Sequence, residues 1–436
     1  MDEDGRDNML RNVLQKWHVI LDILRICVRS KIQFLYNTRW SFAREIVAFT
    51  YLNFKIRLFE MTASMSGSST SMYLETSQQE KSATEKASNQ TLQSQKSSTQ
   101  PEYEWKIVWK NVIAFTYLHI GALYGIYLAF AVTKLQTTLW GIFLCVFGEL
   151  GITAGAHRLW THRTYKAKWP MRFMLMIMQT TAFQNDIYEW ARDHRVHHKF
   201  TDTNADPHNA KRGFFFSHVG WLLLRKHPDV IKQGATIDMT DLNKDPIVLW
   251  QRKWYRLLVL LFSFVLPVWV PCYFWNETLF NSWHHNLLKY ATILNITWLV
   301  NSAAHLWGYK PYDKNICPTE NKIVAILSVG EGWHNYHHVF PWDYKAAEFG
   351  NFNKNITTAL INFCALLGLA YDMKTVPIDV IKKRANRTGD GTRYSEDKDS
   401  QNHRDHHSHE DMKWGWGDVD MTPEEIQEVN VINKSE

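Results

Sequence analysis

Long apolar stretches with at most one charged residue each recur four times after residue 110 of the chain. The stretches are 112–132, 137–156, 257–275 and 290–308. Within them the charged residue is Glu149, and the cations Arg256 and Lys289 come just before the third and fourth stretches. A helix needs about 20 mostly apolar residues to cross a bilayer. The pattern therefore predicts four transmembrane helices, arranged as two hairpins.

Lys and Arg are distributed unevenly around these stretches. The links inside each pair carry few of them, whereas the long segment 158–256 carries many. Because cytosolic loops are enriched in Lys and Arg, we expect this segment and both termini on the cytosolic side. The alternative is four buried helices in a soluble protein. Pro267 and Pro271 inside the third stretch argue against it, since membrane helices tolerate proline better.

The regions outside the apolar stretches are polar and divide the chain. The apolar runs of residues 1–61 are too short to cross a bilayer, so we expect an N-terminal extension of amphipathic or irregular structure. Residues 62–101 are rich in Ser, Thr and Gln, which predicts a disordered linker. Residues 102–385 form the expected folded domain, and 386–436 read as a polar C-terminal tail.

Composition excludes several classes of function. The five cysteines include no C-x-x-C pair, which excludes a disulfide scaffold, a zinc ribbon and a thioredoxin-type redox site. The net charge of +6 is too small to suggest nucleic acid, and it is compatible with anionic lipid or an acidic partner. The 20 histidines stand out because of their spacing.

Nine histidines fall into four groups near the predicted membrane boundary. They are His157 and His162 in HRLWTH, His194, His197 and His198 in HRVHH, His305 in NSAAH, and His334, His337 and His338 in HNYHH. Each H-x-x-H-H triplet places its rings on one helix face. His157 and His162 point about 140° apart on an ideal α-helix, so both reach one site only if the chain turns near His157. Nine ligands are too many for a structural zinc and suit two metal ions, although imidazole alone does not select the metal.

These motifs carry a resemblance to a known family. GAHRLWTHRTYKA (155–167), the stretch from WARDHRVHHKF to SHVGWLL (190–223), NSAAHLWG (301–308) and EGWHNYHHVFPWDY (331–344) resemble the membrane-bound acyl-CoA desaturases of the stearoyl-CoA, or Delta-9, type. The similarity runs from about residue 102 to 382, and KWGWGD (413–418) resembles a tail motif of insect members.

The resemblance implies an all-α membrane protein with four transmembrane helices and a cytosolic helical cap that holds two Fe ions. It implies a multi-pass enzyme of the endoplasmic reticulum. Such an enzyme uses O2 and electrons from cytochrome b5 and its NADH reductase to insert a cis double bond into a saturated long-chain acyl-CoA. An oxidising metal centre fits that chemistry, because no side-chain base removes hydrogen from an unactivated methylene.

The resemblance also implies roles for individual residues. One iron would be held by His157, His162, His194, His198 and His337, and the other by His197, His305, His334 and His338, with Asn301 acting through a water. Contacts to CoA or the acyl chain would come from Asn111, Asn185, Arg192, Asp193, Arg225, Lys226 and Trp298. No further catalytic side chain is implied. Taken alone, Arg225 and Lys226 are equally compatible with ordinary positive-inside charges, and Trp298 with simple packing.

Glu149 departs from the family pattern, which has a small or apolar residue there. It precedes His157 by eight residues on the same face of the second stretch, about 12 Å deeper in the membrane. A carboxyl at that depth is costly unless it is neutral, paired or hydrated. One interpretation is a local partner such as Lys134 or a hydroxyl. The other is that Glu149 borders the closed end of the acyl tunnel and changes chain-length preference.

Three alternative functions remain open from the sequence. The same metal site supports desaturation at another carbon or hydroxylation. A non-catalytic acyl-lipid-binding membrane protein is a second alternative, and it predicts eroded metal ligands. A histidine-rich metal transporter is the third, and it requires ionisable groups through the centres of the spans.

Overall fold

The computed structural model describes residues 104–349, 355–394 and 412–434. The predicted extension 1–61 and linker 62–101 lie outside the described residues. The helices in chain order are α1 (Trp109–Ala131), α2 (Leu135–Leu150), α3 (Trp169–Ala182), α4 (Ile187–Lys199), α5 (Trp221–Leu223), α6 (Pro228–Gly234), α7 (Thr240–Lys244), α8 (Pro246–Val259), α9 (Leu266–Trp275), α10 (Leu279–Asn301), α11 (Ala303–Leu306), α12 (Lys322–Leu327), α13 (His334–Val339), α14 (Ile356–Leu366), α15 (Ile378–Thr388) and α16 (Pro423–Gln427). Segments of π-helix cover Gly151–Thr161, Phe216–Gly220 and Leu260–Val265, and a 3₁₀ turn covers Ala210–Arg212.

Three helices of the described residues are long and apolar enough to cross a membrane. They are Trp109–Ala131, Leu135–Thr161 and Pro246–Trp275. The first helix covers the predicted stretch 112–132 except for Val132. The second and third helices contain the stretches 137–156 and 257–275 and are longer than them. The third begins early because the Asp245 side chain accepts a hydrogen bond from the backbone N–H of Ile247 and Pro246 occupies the first turn.

The helix in the place of the fourth predicted span has different bounds. The stretch 290–308 is replaced by α10, which begins at Leu279, where the Thr278 side chain caps it, and ends at Asn301. It is not among the helices apolar enough to cross a membrane by composition. The helix packs against α1, α2 and α9, so its polar residues are sheltered by protein.

Lys289 illustrates the consequence of this shift. The sequence places Lys289 at a membrane edge, whereas the structure buries it within α10, with 2% of its surface exposed. Its Nζ lies 3.5 Å from the carbonyl oxygens of Thr181 and Ser263. A charged group at such a position requires polar partners from neighbouring helices, and these carbonyls supply them.

The second membrane-length helix changes its winding where the first histidines lie. After Leu150 the chain continues as the π-helical segment Gly151–Thr161 instead of turning at His157. The backbone N–H of His162 donates to the carbonyl of His157 at 3.1 Å. In a π-helix, residues five apart are one turn apart. The expected turn is therefore unnecessary, because the wider winding brings His157 and His162 to the same side.

The remaining histidines lie on short helices that pack on the ends of the long ones. Helix α4 begins where Asp186 accepts a hydrogen bond from Glu189 N at 3.0 Å, and it ends after His197, His198 and Lys199. It packs against the π-helical segment and α8. A buried apolar cluster that includes Trp160, Met171, Leu175, Ile187, Val196 and Ile361 fixes these elements relative to one another.

Four short strands qualify the all-α expectation. The strands β1 (Lys166–Ala167) and β2 (Ala370–Tyr371) pair antiparallel, and so do β3 (Met373–Thr375) and β4 (Asn430–Ile432). The last pair ties the end of the chain to the folded domain. Part of the region 386–436, expected as a polar C-terminal tail, is therefore packed: Trp414 is 2% exposed and Asp418 is 4% exposed.

Candidate metal centre and adjoining cavity

Five imidazoles from three parts of the chain converge in one buried cluster, called the first cluster below. Its members are His157 of the π-helical segment, His162 directly after that segment, His194 and His198 of α4, and His337 of α13. The Nε2 atom of His337 lies 2.9 Å from Nε2 of His157 and 3.0 Å from Nε2 of His198.

Four further imidazoles form a second cluster beside the first. They are His197 of α4, His305 of α11, and His334 and His338 of α13. Nε2 of His334 lies 3.0 Å from Nε2 of His305 and 3.1 Å from Nε2 of His338. The rings of His198 and His338 stack across the two clusters at 4.1 Å between centroids.

Each H-x-x-H-H triplet is divided between the clusters. On α4, the residues four apart, His194 and His198, enter the first cluster and His197 enters the second. On α13 the pattern is reversed, because His334 and His338 enter the second cluster and His337 the first. Helix α4 thus gives two imidazoles to the first cluster and one to the second, and α13 gives one to the first and two to the second. This arrangement builds two sites side by side.

The spacing of the nitrogens fits metal ions. Two nitrogens bound at about 2.1 Å and at right angles to one ion are about 3 Å apart, which matches the shortest Nε2 separations above. The Nε2 atoms of His162, His194 and His197 are buried and have no hydrogen-bond partner among the described residues. Buried polar atoms without partners are costly, and ligation of a metal ion would satisfy them.

Carboxylates lie behind three of the imidazoles, that is, near Nδ1 and away from the Nε2 atom that faces the cluster. Asp206 Oδ1 lies 2.8 Å from Nδ1 of His197, Glu331 Oε2 lies 3.0 Å from Nδ1 of His157, and Asp202 Oδ1 lies 3.8 Å from Nδ1 of His305. Asp206 and Glu331 are close enough to favour the proton on Nδ1 of His197 and His157, which leaves Nε2 free for a metal.

The protonation of the clusters suits metal binding. Burial, followed by the charge of neighbouring imidazoles, lowers the pKa of most of the rings well below its ordinary value. This holds for His162, His194, His198, His334, His337 and His338. These rings are therefore neutral at physiological pH, the form that ligates metals. At His197, burial alone would lower the pKa, but the charge and hydrogen bond of Asp206 raise it.

The carboxylate behind His197 provides a first prediction. We expect Asp206→Asn to weaken metal binding about 10–100-fold, because a neutral amide supports the imidazole less than a carboxylate does. The measurement is the metal bound per protein after equilibration with graded chelator. Asp229→Asn is the matched control, since the Asp229 side chain is 51% exposed and lies outside both clusters. Equal metal retention in the two variants would contradict the prediction.

A cavity of about 580 Å³ opens beside the clusters. Its wall is mostly apolar or aromatic, including Phe115, Leu118, Phe183, Leu287 and Leu294, and it also contains His157, His194 and His334. This volume lies within the range of sites for small organic ligands, about 300–1,000 Å³. An apolar ligand in this cavity would therefore lie directly beside these imidazoles.

The structure distributes the expected substrate residues between this cavity and its surroundings. Asn111, Asn185, Asp193, Trp298, Asn301 and Glu149 line the cavity. Arg192 donates two hydrogen bonds to Asp193 Oδ1, at 3.2 and 3.0 Å, and Lys226 forms an ion pair with the other oxygen of Asp193. Arg225 and Lys226 line a smaller pocket nearby. The cations thus flank the cavity and do not line it.

Asn301 and His305 both fall in the predicted helix 290–308, but the structure places them on two separate helices. Asn301 is the last residue of α10, and Ser302 separates it from the short helix that carries His305. The break occurs where Ser302 Oγ donates to the carbonyl oxygen of Trp298 at 2.8 Å. Asn301 is nearly buried and lines the cavity together with His334.

Glu149 is buried in the cavity wall without Lys134 as a partner. The Nζ of Lys134 instead donates to the carbonyl oxygens of Trp275 and Asn276, at 2.6 and 3.0 Å. Glu149 is 3% exposed, and its Oε1 has no hydrogen-bond partner among the described residues. A polar atom is therefore buried at the surface of an apolar cavity.

Several residues of the site were not singled out from the sequence. They are the carboxylates Asp202, Asp206 and Glu331, together with Arg158, which donates from Nη2 to Glu331 at 2.7 Å. Their proximity to the histidine motifs was an available indication, since Arg158 follows His157 directly and Asp202 and Asp206 follow His198 closely. Acidic residues are common in polar loops, however, so proximity alone does not select these three.

Comparisons with known proteins all find similarity to desaturases. A sequence model described as fatty acid desaturase matches residues 138–347. The chain is 59% identical over 331 residues to an Acheta domesticus protein named acyl-CoA Delta12-desaturase, covering 76% of this chain and 87% of that protein. It is 59% identical over 325 residues to an Acheta domesticus acyl-CoA Delta-9 desaturase, covering 74% and 86%. It is 56% identical over 297 residues to the Homo sapiens stearoyl-CoA desaturase, covering 68% and 82%.

Proposed function

Because the chain belongs to the fatty acid desaturase family, we propose that it is a di-iron enzyme that inserts a cis Delta-9 double bond into saturated long-chain acyl-CoA. O2 accepts two electrons from the substrate and two from cytochrome b5, which its NADH reductase supplies, and is reduced to two waters. The observation that carries this proposal is the pair of imidazole clusters facing one apolar cavity.

The nine histidines would hold the two irons. The first cluster supplies five ligands and the second supplies four, so Asn301 would complete the second site by orienting a water. Bound iron supplies the oxidising power that removes hydrogen from an unactivated methylene. The chain itself would fix the tautomers of His197 and His157 through Asp206 and Glu331, and it would hold the acyl chain beside the clusters.

Substrate binding would divide by polarity. The acyl chain would occupy the cavity against Trp298, while the polar end would meet Asn111, Asn185 and Asp193 near its mouth. Arg192, Arg225 and Lys226 flank this region and suit the phosphates of CoA, because guanidinium and ammonium groups bind phosphate well. The ion pairs of Arg192 and Lys226 with Asp193 hold these cations beside the cavity, which Asp193 lines.

The proposed enzyme is a multi-pass protein of the endoplasmic reticulum with both termini in the cytosol. The three membrane-length helices support insertion in a bilayer. We propose α10 as the fourth span, because it is as long as α1 and packs among the other three.

Complementation tests this function. We expect the chain to restore growth of a desaturase-deficient yeast without added unsaturated fatty acid, and lipid analysis to locate a cis Delta-9 double bond. Absence of any unsaturated product, despite stable protein loaded with iron, would favour a non-catalytic acyl-lipid-binding protein. Hydroxylated products would indicate that the same metal site catalyses hydroxylation instead of desaturation.

A different double-bond position is the second candidate. Relatives at the same identity are named Delta-9 and Delta12 desaturases, and others are named Delta(11). Feeding saturated and Delta-9 monounsaturated acyl-CoA separately to membranes identifies a Delta-12 enzyme, because it acts on the second substrate. Locating the double bond in the product from the saturated substrate separates Delta-9 from Delta-11.

Glu149 is proposed to limit the acyl chain. We expect Glu149→Ala to shift product distribution towards longer chains, since the smaller side chain leaves additional apolar space in the cavity. Glu149→Gln separates the effect of side-chain size from that of charge, because glutamine has the size of glutamate and carries no charge. The measurement is the product profile with acyl-CoA substrates of graded length. Identical profiles for wild type and both variants would contradict the proposal.

A further inference from the structure

The packed C-terminal segment touches a proposed metal ligand directly. His162 Nδ1 donates a hydrogen bond to the carbonyl oxygen of Trp414, and the backbone N–H of Trp416 donates to the carbonyl oxygen of His162 at 2.9 Å. Residues 414–416, called the C-terminal strap below, therefore hold both the side chain and the backbone of His162.

The first of these hydrogen bonds fixes the tautomer of the ring. A carbonyl oxygen only accepts, so the Nδ1 atom of His162 must carry the proton. Nε2 then presents its lone pair to the first cluster, where it is buried without a hydrogen-bond partner among the described residues. The Trp414 carbonyl thus occupies, behind His162, the position that Glu331 occupies behind His157.

The Trp414 ring anchors the strap between two cations. The guanidinium carbons of Arg195 and Arg163 lie 4.1 and 5.0 Å from the ring centroid. Arg195 is fixed in turn by Asp241, with its Nη2 2.7 Å from Oδ2. Cations over an indole face are attracted by its electron density, so the ring has a defined place.

Asp418 fixes the backbone of the strap at Trp414. Its Oδ2 accepts from the backbone N–H of Trp414 at 2.8 Å, and its Oδ1 lies 3.0 Å from Nζ of Lys199. Lys199 is the last residue of α4 and follows His198 directly. The strap is thus tied to the helix that supplies three of the imidazoles.

Gly415 explains why the strap can approach so closely. Its φ is +152°, and a Cβ placed there would lie 2.6 Å from the carbonyl oxygen of His162 and 2.7 Å from its Cα. Both atoms belong to backbone and cannot move aside. Gly417 also has positive φ, +83°, but its Cβ would meet only the flexible end of Arg163 at 3.1 Å.

We propose that the C-terminal strap is a positioning element of the metal centre, with the Trp414 carbonyl orienting His162 towards one of the two metals. The inference rests on the proposed iron centre. The strap belongs to the chain's own catalytic unit, although more than 200 residues separate Trp414 from His162 in sequence.

Iron retention in the full-length protein tests the proposal. We expect Gly415→Ala to speed iron release to a ferrous chelator about 10–100-fold, as for loss of other partners behind ligands. Mössbauer spectra of iron-57 protein should change for one iron and not for the other. Gly417→Ala, the matched control, should leave iron release and both spectral components as in wild type.

A second pair of variants guards against misfolding of Gly415→Ala. Trp414→Ala should loosen the strap and speed iron release, whereas Trp414→Phe keeps an aromatic ring between the arginines and should retain iron as wild type does. Unchanged release and spectra in both Gly415→Ala and Trp414→Ala would overturn the proposal. So would a loss of thermal stability that leaves both spectral components unchanged. Failure of wild type to bind iron would instead overturn the proposed function.

Discussion

Replacement of His337 by alanine should reduce desaturation to below about one thousandth of wild type, because no side chain replaces the oxidising power of a metal. His337 is the central imidazole of the first cluster, with its Nε2 within 3.0 Å of Nε2 of both His157 and His198. Its removal opens that site on two sides, whereas the second cluster keeps all four of its imidazoles.

Two measurements check this prediction. Product formation from stearoyl-CoA should disappear, and the iron content should fall from two ions to about one per protein. His284→Ala is the control, because His284 contacts Phe280 and Tyr124 and lies outside both clusters. Substantial activity in His337→Ala would place the chemistry elsewhere, and loss of activity in His284→Ala would point to general damage.

Arg158→Met should give the largest loss of stability, about 3–5 kcal/mol, because it leaves Glu331 as a buried charge without its partner. The Arg158 side chain is 0% exposed and donates from Nε and Nη2 to Glu331 Oε1, at 3.0 and 2.7 Å. Its Nη1 donates to Thr358 Oγ1 and to the carbonyl oxygen of Tyr344, at 2.9 and 3.0 Å. The substitution disturbs the support of His157 at the same time.

The free energy of unfolding in one detergent checks this prediction. Lys166→Met is the matched control, since Lys166 pairs with Asp372 at 2.8 Å while 61% exposed, and exposed pairs contribute about 0–1 kcal/mol. The double variant Arg158→Met/Glu331→Leu should regain stability over the single variant, because removing both charges is less costly than removing one. Equal stability of the single and double variants would contradict the argument.

The predicted helices were right where hydrophobicity alone sets them. Helix α1 and the helices through 137–156 and 257–275 contain long apolar runs, and each is present. The fourth differs because its start depends on the cap at Thr278 and its polar residues are sheltered by other helices. Neither factor is visible in a count of charges along a window.

The clusters depended on tertiary structure in a different way. The spacing of the H-x-x-H-H motifs indicates that their rings share a face, but the structure divides each triplet between two sites. The π-helical winding at Gly151–Thr161, which aligns His157 with His162, is likewise not indicated by residue type.

The sequence by itself determined the chemistry, because residue types and local spacing fix which groups are available and which segments are apolar enough for a membrane. The family resemblance implied the division of the nine imidazoles into two sets, but residue types and spacing alone did not, and the tertiary structure brings each set together. The tertiary structure alone decided which carboxylates stand behind the imidazoles and how the C-terminal strap reaches His162. The physical reason is distance along the chain. Contacts such as His157 with His337, or His162 with Trp414, form by packing of remote segments, and no local pattern encodes their geometry.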